Sequence, residues 1–173
     1  MPYADLGDMR MYYEAYGSGP PVVMLHGFTL DRRMWYPNIG ALQREYRVLL
    51  PDARGHGLSD APETGYSRDH RVEDLRRLVT ALQLDTFHLV GLSMGGSTAI
   101  GYALKYQLQL RSLTLVSTGA AGYSLSKKLS RLDEVAKDDG IEAAKARWIE
   151  WSLAYYRHRH HEIGEKLRTM MTE

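Results

Sequence analysis

The chain has 173 residues, 44% of them hydrophobic and 25% charged, the proportions of an ordinary globular protein with enough length to bury a core. Lys and Arg number 22 against 21 Asp and Glu, a formal charge of +1 with no long block of one sign, which argues against a nucleic-acid partner. Cysteine is absent, so a disulfide framework, a thiolate zinc site and a cysteine nucleophile are all excluded, and chemistry must come from hydroxyl, imidazole or carboxylate groups.

In chain order, Asp5, Asp8 and Arg10 interrupt the first eleven residues, which therefore do not read as a secretory signal. No apolar run reaches the length of a bilayer span, and a soluble cytoplasmic protein with no membrane partner is expected. Residues 9–16 alternate in polarity, the period of a half-exposed strand, until Gly17-Ser18-Gly19-Pro20-Pro21 breaks it. Residues 22–25, 48–50, 87–90 and 113–116 are short continuous apolar runs, the signature of parallel strands covered on both faces. Helical periods lie between them: one closes at Leu42, one is striped by Val72, Leu75, Val79 and Leu82 behind a Ser67 N-cap, and one covers residues 94–106. This alternation predicts an α/β architecture with right-handed crossovers. Beyond Ser117 the pattern is helical from about Ser124 to Met171 with a break near Asp138-Asp139-Gly140, so the chain divides into a core, residues 1–122, and a terminal helical segment, residues 123–173. Ile141, Ala144, Trp148, Trp151, Tyr155, Ile163, Leu167 and Met170 fall broadly on one face of that segment, as a packing stripe.

One motif carries chemistry. Gly91-Leu92-Ser93-Met94-Gly95 reads G-x-S-x-G directly after an apolar strand and directly before a helix of small residues. A turn that sharp strains the serine and brings strand and helix backbones together, which the glycines at Gly91 and Gly95 permit.

Three segments in register, His26-Gly27-Phe28 after one strand, Asp52-Ala53-Arg54-Gly55-His56-Gly57-Leu58-Ser59-Asp60 after the next, and Gly91-Leu92-Ser93-Met94-Gly95-Gly96, resemble the α/β-hydrolase fold superfamily. The likeness covers residues 12 to about 118. It implies a truncated sheet of about six mostly parallel strands followed by cap-like helices. It also implies a serine nucleophile at Ser93, with an oxyanion hole made of the backbone N–H groups of Phe28 and Met94. By the same resemblance Arg54 and His56 organise their loop, and His26 is a framework residue whose closeness to Ser93 keeps it a minor candidate for chemistry. His70 and His88 have no motif around them. A serine at the elbow disfavours the dehalogenase and epoxide-hydrolase branches, which attack with a carboxylate. Esterases and lipases, enol-lactonases, cofactor-free perhydrolases and carbon–carbon bond hydrolases remain; the first three resemble the Ser93-Met94-Gly95-Gly96 elbow about equally, and acyl transfer from an ester or lactone is the common denominator.

The chain departs from the family where the catalytic acid and histidine are expected, after the later strands. It resembles a half-length form, and the base is then sought in Arg157-His158-Arg159-His160-His161. His158, His160 and His161 are the candidates. Glu142, Glu150, Glu162 and Glu165 are available as acids. A metal site built from those histidines with Glu162 or Glu165 is a lesser reading, and no metal or other cofactor is expected. The function read from the sequence is a carboxylesterase-type serine hydrolase of broad specificity acting through an acyl-Ser93 intermediate on a small ester. Trp148, Trp151, Tyr155 and Tyr156 point to an apolar acyl or aryl pocket. The alternatives are a non-catalytic ligand-binding or interaction module and an enol-lactonase or perhydrolase. The strand at residues 113–116, left as an apolar edge, and the aromatic stripe of the terminal segment predict a homodimer, formed by edge pairing or by exchange of the terminal helices, with a base contributed by the same chain or by its partner.

Overall fold

A computed structural model describes residues 3–119, 127–154 and 161–172. The chain divides into two compact units, Met1–Ala120 and Ala121–Glu173. The first is a six-stranded sheet in the order β1-β2-β4-β3-β5-β6. Its strands are β1 (Tyr3–Asp5), β2 (Arg10–Tyr16), β3 (Pro21–Leu25), β4 (Arg47–Pro51), β5 (Phe87–Leu92) and β6 (Leu110–Val116). β1, β2 and β4 pair antiparallel, whereas β4, β3, β5 and β6 run parallel, with Val23 beside Leu49 on one side and Leu89 on the other. Helices α1 (Tyr36–Leu42), α2 (Arg68–Ala81) and α3 (Met94–Tyr106) make the crossovers.

Both faces of the central strands are covered, as their unbroken apolar runs require. On one face Val23, Leu49 and Leu89 pack with Val72, Leu75 and Val79 of α2 and Ala99 and Tyr102 of α3. On the other, Val22, Met24, Val48 and Leu50 enclose Trp35 together with Ile39 and Leu42 of α1. α2 begins where Ser67, in an extended conformation, accepts the His70 N–H on its Oγ, and its buried side chains recur at helical spacing. α3 is built of small residues because it crosses close to its neighbours: a Cβ on Gly101 would come within 2.8 Å of Val72 Cγ2.

Two features differ from the sequence reading. β1 is absent from it, because three residues with only Ala4 buried leave no period to detect. β6 pairs with β5 and forms the edge that was expected, and Arg111 to Leu115 are exposed there, so its apolar run is not covered on both faces as those of the central strands are. In the second unit, α4 (Lys127–Asp138) packs on α5 (Ile141–Leu153), which meets α6 (His161–Thr172). Gly140, at φ +88°, makes the break between α4 and α5. Ala144 and Leu153 are buried while Ile141 and Ile163 are exposed, so the stripe read across this segment is not one continuous buried face. Among the described residues, no helix is long and apolar enough to cross a membrane.

Candidate active site

β5 ends at Leu92 and α3 begins at Met94, which leaves Ser93 as the whole turn. Ser93 has φ 51° and ψ −109°, a left-handed conformation that costs a residue with a Cβ about 1–3 kcal/mol unless its surroundings impose it. They do so here: the Ser93 N–H donates to Val116 O of β6 at 3.0 Å, and the Ser93 carbonyl accepts the Ser97 N–H at 2.9 Å. A Cβ on Gly91 would lie 2.5 Å from Gly95 O, and one on Gly95 would lie 2.5 Å from Leu25 O and 2.6 Å from His26 O. Those neighbours are backbone atoms, so only glycine fits at either place. Ser93 is thereby exposed at the carboxyl ends of the parallel strands, with Met94 as the first residue of α3. The first N–H groups of a helix have no partner within it and carry its positive end, which suits a developing oxyanion.

The segment after β3 runs past this turn. A Cβ built on Gly27 would sit 3.8 Å from Ser93 Cβ, so the peptide leading to Phe28 lies against the Ser93 turn. His26 is 2% exposed and bonds only to backbone: its Nδ1 lies 2.8 Å from Gly27 O, and its Nε2 accepts the Ala53 N–H at 2.9 Å. A carbonyl can only accept, so the proton resides on Nδ1. Burial, assisted by the neighbouring His56, pushes the His26 pKa down to about 4. With both nitrogens engaged and the ring neutral, His26 is framework.

Asp52 and Arg54 build the supporting loop. The fully buried Asp52 carboxylate accepts the Arg32 and Leu58 N–H groups at 2.9 and 3.0 Å and pairs with the Arg32 guanidinium at 2.7 Å. Burial raises the Asp52 pKa against those partners. Arg54 makes a two-point ion pair with Asp74 of α2, both bonds 2.6 Å and both side chains 2% exposed. Asp74 escaped the sequence reading although it left a signal, a carboxylate four residues before the buried Leu78 on the inward face of a helix. Asp52 stood inside a recognised motif without a role being given to it.

Each remaining imidazole of the first unit is also engaged. His56 bonds the Arg54 carbonyl and the Thr29 N–H, His70 the Ser67 hydroxyl, and His88 the Ser112 hydroxyl. Of the predicted bases, His158 and His160 lie outside the described residues, and His161 is the first residue of α6. Thus the first unit brings together Ser93, Met94, Gly91, Gly95 and the Gly27-Phe28 segment.

A protein-family model described as alpha/beta hydrolase fold matches residues 20–166. Over 100 residues the chain is 38% identical to the soluble epoxide hydrolase of Corynebacterium sp. (strain C12), covering 58% of this chain and 35% of that protein. Among solved structures, the enol-lactonase from Burkholderia xenovorans LB400 superposes with a TM-score of 0.85 at 26% identity, covering 99% of this chain and 68% of the other. The thermophilic esterase from Thermogutta terrifontis gives 0.82 at 33% identity, covering 94% and 61%. The chain spans 35% to 44% of the length of the curated relatives it matches first. With the strand order, the serine turn and the family match in agreement, this partial-length chain belongs to the α/β hydrolase fold family.

Proposed function

We propose that the chain is a serine acyl hydrolase whose substrates are carboxylic esters, cyclic esters included. The observation that carries this reading is the exposed, left-handed Ser93, held between two glycines that no other residue could replace. In this reading Ser93 Oγ attacks the ester carbonyl carbon as an imidazole base takes its proton. The carbonyl oxygen becomes an oxyanion received by the N–H groups of Phe28 and Met94, each such donor being worth about 10²–10³ in rate. Collapse expels the alcohol, which takes up the proton, and leaves acyl-Ser93. Water then attacks with the same base and releases the acid.

Support for an ester rather than another hydrolase substrate comes from the nucleophile and the company it keeps. A hydroxyl beside a helix N-terminus suits acyl transfer, and the likenesses to an esterase and an enol-lactonase both involve that class of bond. The likeness to an epoxide hydrolase concerns the shared scaffold. The imidazole base is sought among His158, His160 and His161, because those of the first unit are committed to structural bonds. Replacement of Ser93 by alanine tests the reading: hydrolysis of short aryl esters falls by at least about 10³-fold, whereas turnover that survives the change overturns it.

A further inference from the structure

Phe28, the proposed oxyanion donor outside the helix, lies between two peptides that are each held by an imidazole. On one side His26 Nδ1 donates to Gly27 O at 2.8 Å. On the other, the Thr29 N–H donates to His56 Nε2 at 3.3 Å. The proton of His56 is assigned by its second bond: Nδ1 lies 2.9 Å from Arg54 O, a pure acceptor, so Nδ1 must donate and Nε2 must present a lone pair. Thr29 has reason to need such an anchor. It is β-branched yet sits at φ 61°, a conformation that the local chain does not favour. Its own Oγ1 donates to Phe28 O at 2.6 Å, so the Phe28–Thr29 peptide is fixed at both its carbonyl and its N–H. The Phe28 ring meets the His56 ring edge-on, with centroids 6.0 Å apart.

We infer that His56 is a positioning residue for the oxyanion hole, its neutral Nε2 fixing the Thr29 peptide so that the adjoining Phe28 N–H keeps its aim. In its effect on rate the inference rests on the acyl-transfer reading of Ser93. Four groups face or act on His56 from the elements around it: the His26 ring at 5.1 Å after β3, Asp31 before the short helix Arg32–Trp35, Asp52 after β4, and Arg71 of α2. The carboxylates favour the imidazolium and Arg71 opposes it, while burial is the largest influence and lowers the His56 pKa. Neutral His56 is therefore the form present at neutral pH. On acidification Nε2 becomes a donor facing another donor, and the anchor is released.

The two nitrogens can be tested separately. The amide nitrogen of His56→Asn takes the place of Nδ1 and keeps the bond to Arg54 O, but the shorter side chain offers the Thr29 N–H no acceptor in place of Nε2. The side-chain oxygen of His56→Gln takes the place of Nε2 and keeps an acceptor for Thr29. Hydrogen exchange by NMR reads the anchor directly: the Thr29 amide exchanges about tenfold faster in His56→Asn and near the wild-type rate in His56→Gln. In wild type, Thr29 exchange, corrected for intrinsic rates, accelerates as pH falls through the His56 titration, a measurement that needs no variant to fold. Kinetics reads the consequence. For an aryl ester His56→Asn lowers kcat about 10- to 100-fold with KM within about twofold, and His56→Gln restores it. The thiono analogue, whose sulfur is a weaker acceptor, loses much less. Rescue by Asn instead of Gln, or Thr29 exchange indifferent to both variants and to pH, overturns the inference. Controlled exchange in a wild type with no Ser93-dependent turnover retains the anchor and rejects acyl transfer, so the two readings fail separately.

Discussion

Gly27 and Ser93 stand so close that a β-carbon on the glycine would lie 3.8 Å from Ser93 Cβ and 2.8 Å from Leu92 Cδ2. This approach brings the end of β3 to the turn after β5 and sets side by side the two segments, far apart in sequence, that are proposed to form an oxyanion site. It depends on glycine at a second place, Gly95, where a Cβ would press on Leu25 O and His26 O at about 2.5 Å. Gly95→Ala is expected to destabilise the protein by roughly 1–3 kcal/mol, because neither carbonyl can retreat without moving β3. Urea unfolding measures the change, and an unaltered midpoint would show that the turn has slack.

The Arg54–Asp74 pair is buried on both sides, with Asp8 as a weaker, half-exposed partner of the arginine. Asp74→Ala leaves the guanidinium without its principal partner and costs about 3–5 kcal/mol. Arg54→Met with Asp74→Leu costs much less than Asp74→Ala alone, since no charge is then stranded. Chemical denaturation of both variants distinguishes a loop-to-helix clamp from a dispensable contact.

His26 has a folded pKa of about 4 against an ordinary 6.5. The native state therefore binds fewer protons than the unfolded one between those values, and the stability conferred by neutral His26 is complete above pH 6.5 and lost as pH falls toward 4. The loss across that window is roughly 3 kcal/mol. His26→Gln, which cannot titrate, is expected to have a flatter stability profile between pH 7 and 4. Parallel slopes for the two proteins would contradict the assignment.

β6 forms an edge of the sheet, with Leu113 and Leu115 exposed by 38% and 44%. A second copy of the chain pairing along this edge is the proposed partner. Light scattering should give twice the chain mass at micromolar concentration, and Leu113→Lys with Leu115→Lys should restore the single-chain mass. One chain mass for the unaltered protein rejects the dimer.

Much of this fold is legible in the sequence. β3, β4 and β5 announced themselves as apolar runs, Ser67 as an N-cap, and Ser93 through glycines whose need is local and steric. Side-chain pairing across the fold was not legible. Asp52 with Arg32, Arg54 with Asp74 and His56 with Thr29 join residues 20 to 27 apart, and polar contacts at that range leave no period in the sequence. β6 shows the limit of an apolar run: its composition alone reads as a covered strand, whereas its place as an edge, also expected, leaves it exposed, because coverage depends on what packs beside a strand.

Covalent labelling by a fluorophosphonate tests the central claim most directly, because the reagent reacts far faster with an activated serine beside an oxyanion site than with an ordinary hydroxyl. Intact mass with peptide mapping should give one phosphonate, on Ser93, in the wild-type chain, and none in Ser93→Ala. Labelling at another residue, or ester turnover by a chain whose Ser93 stays unmodified, would contradict the account.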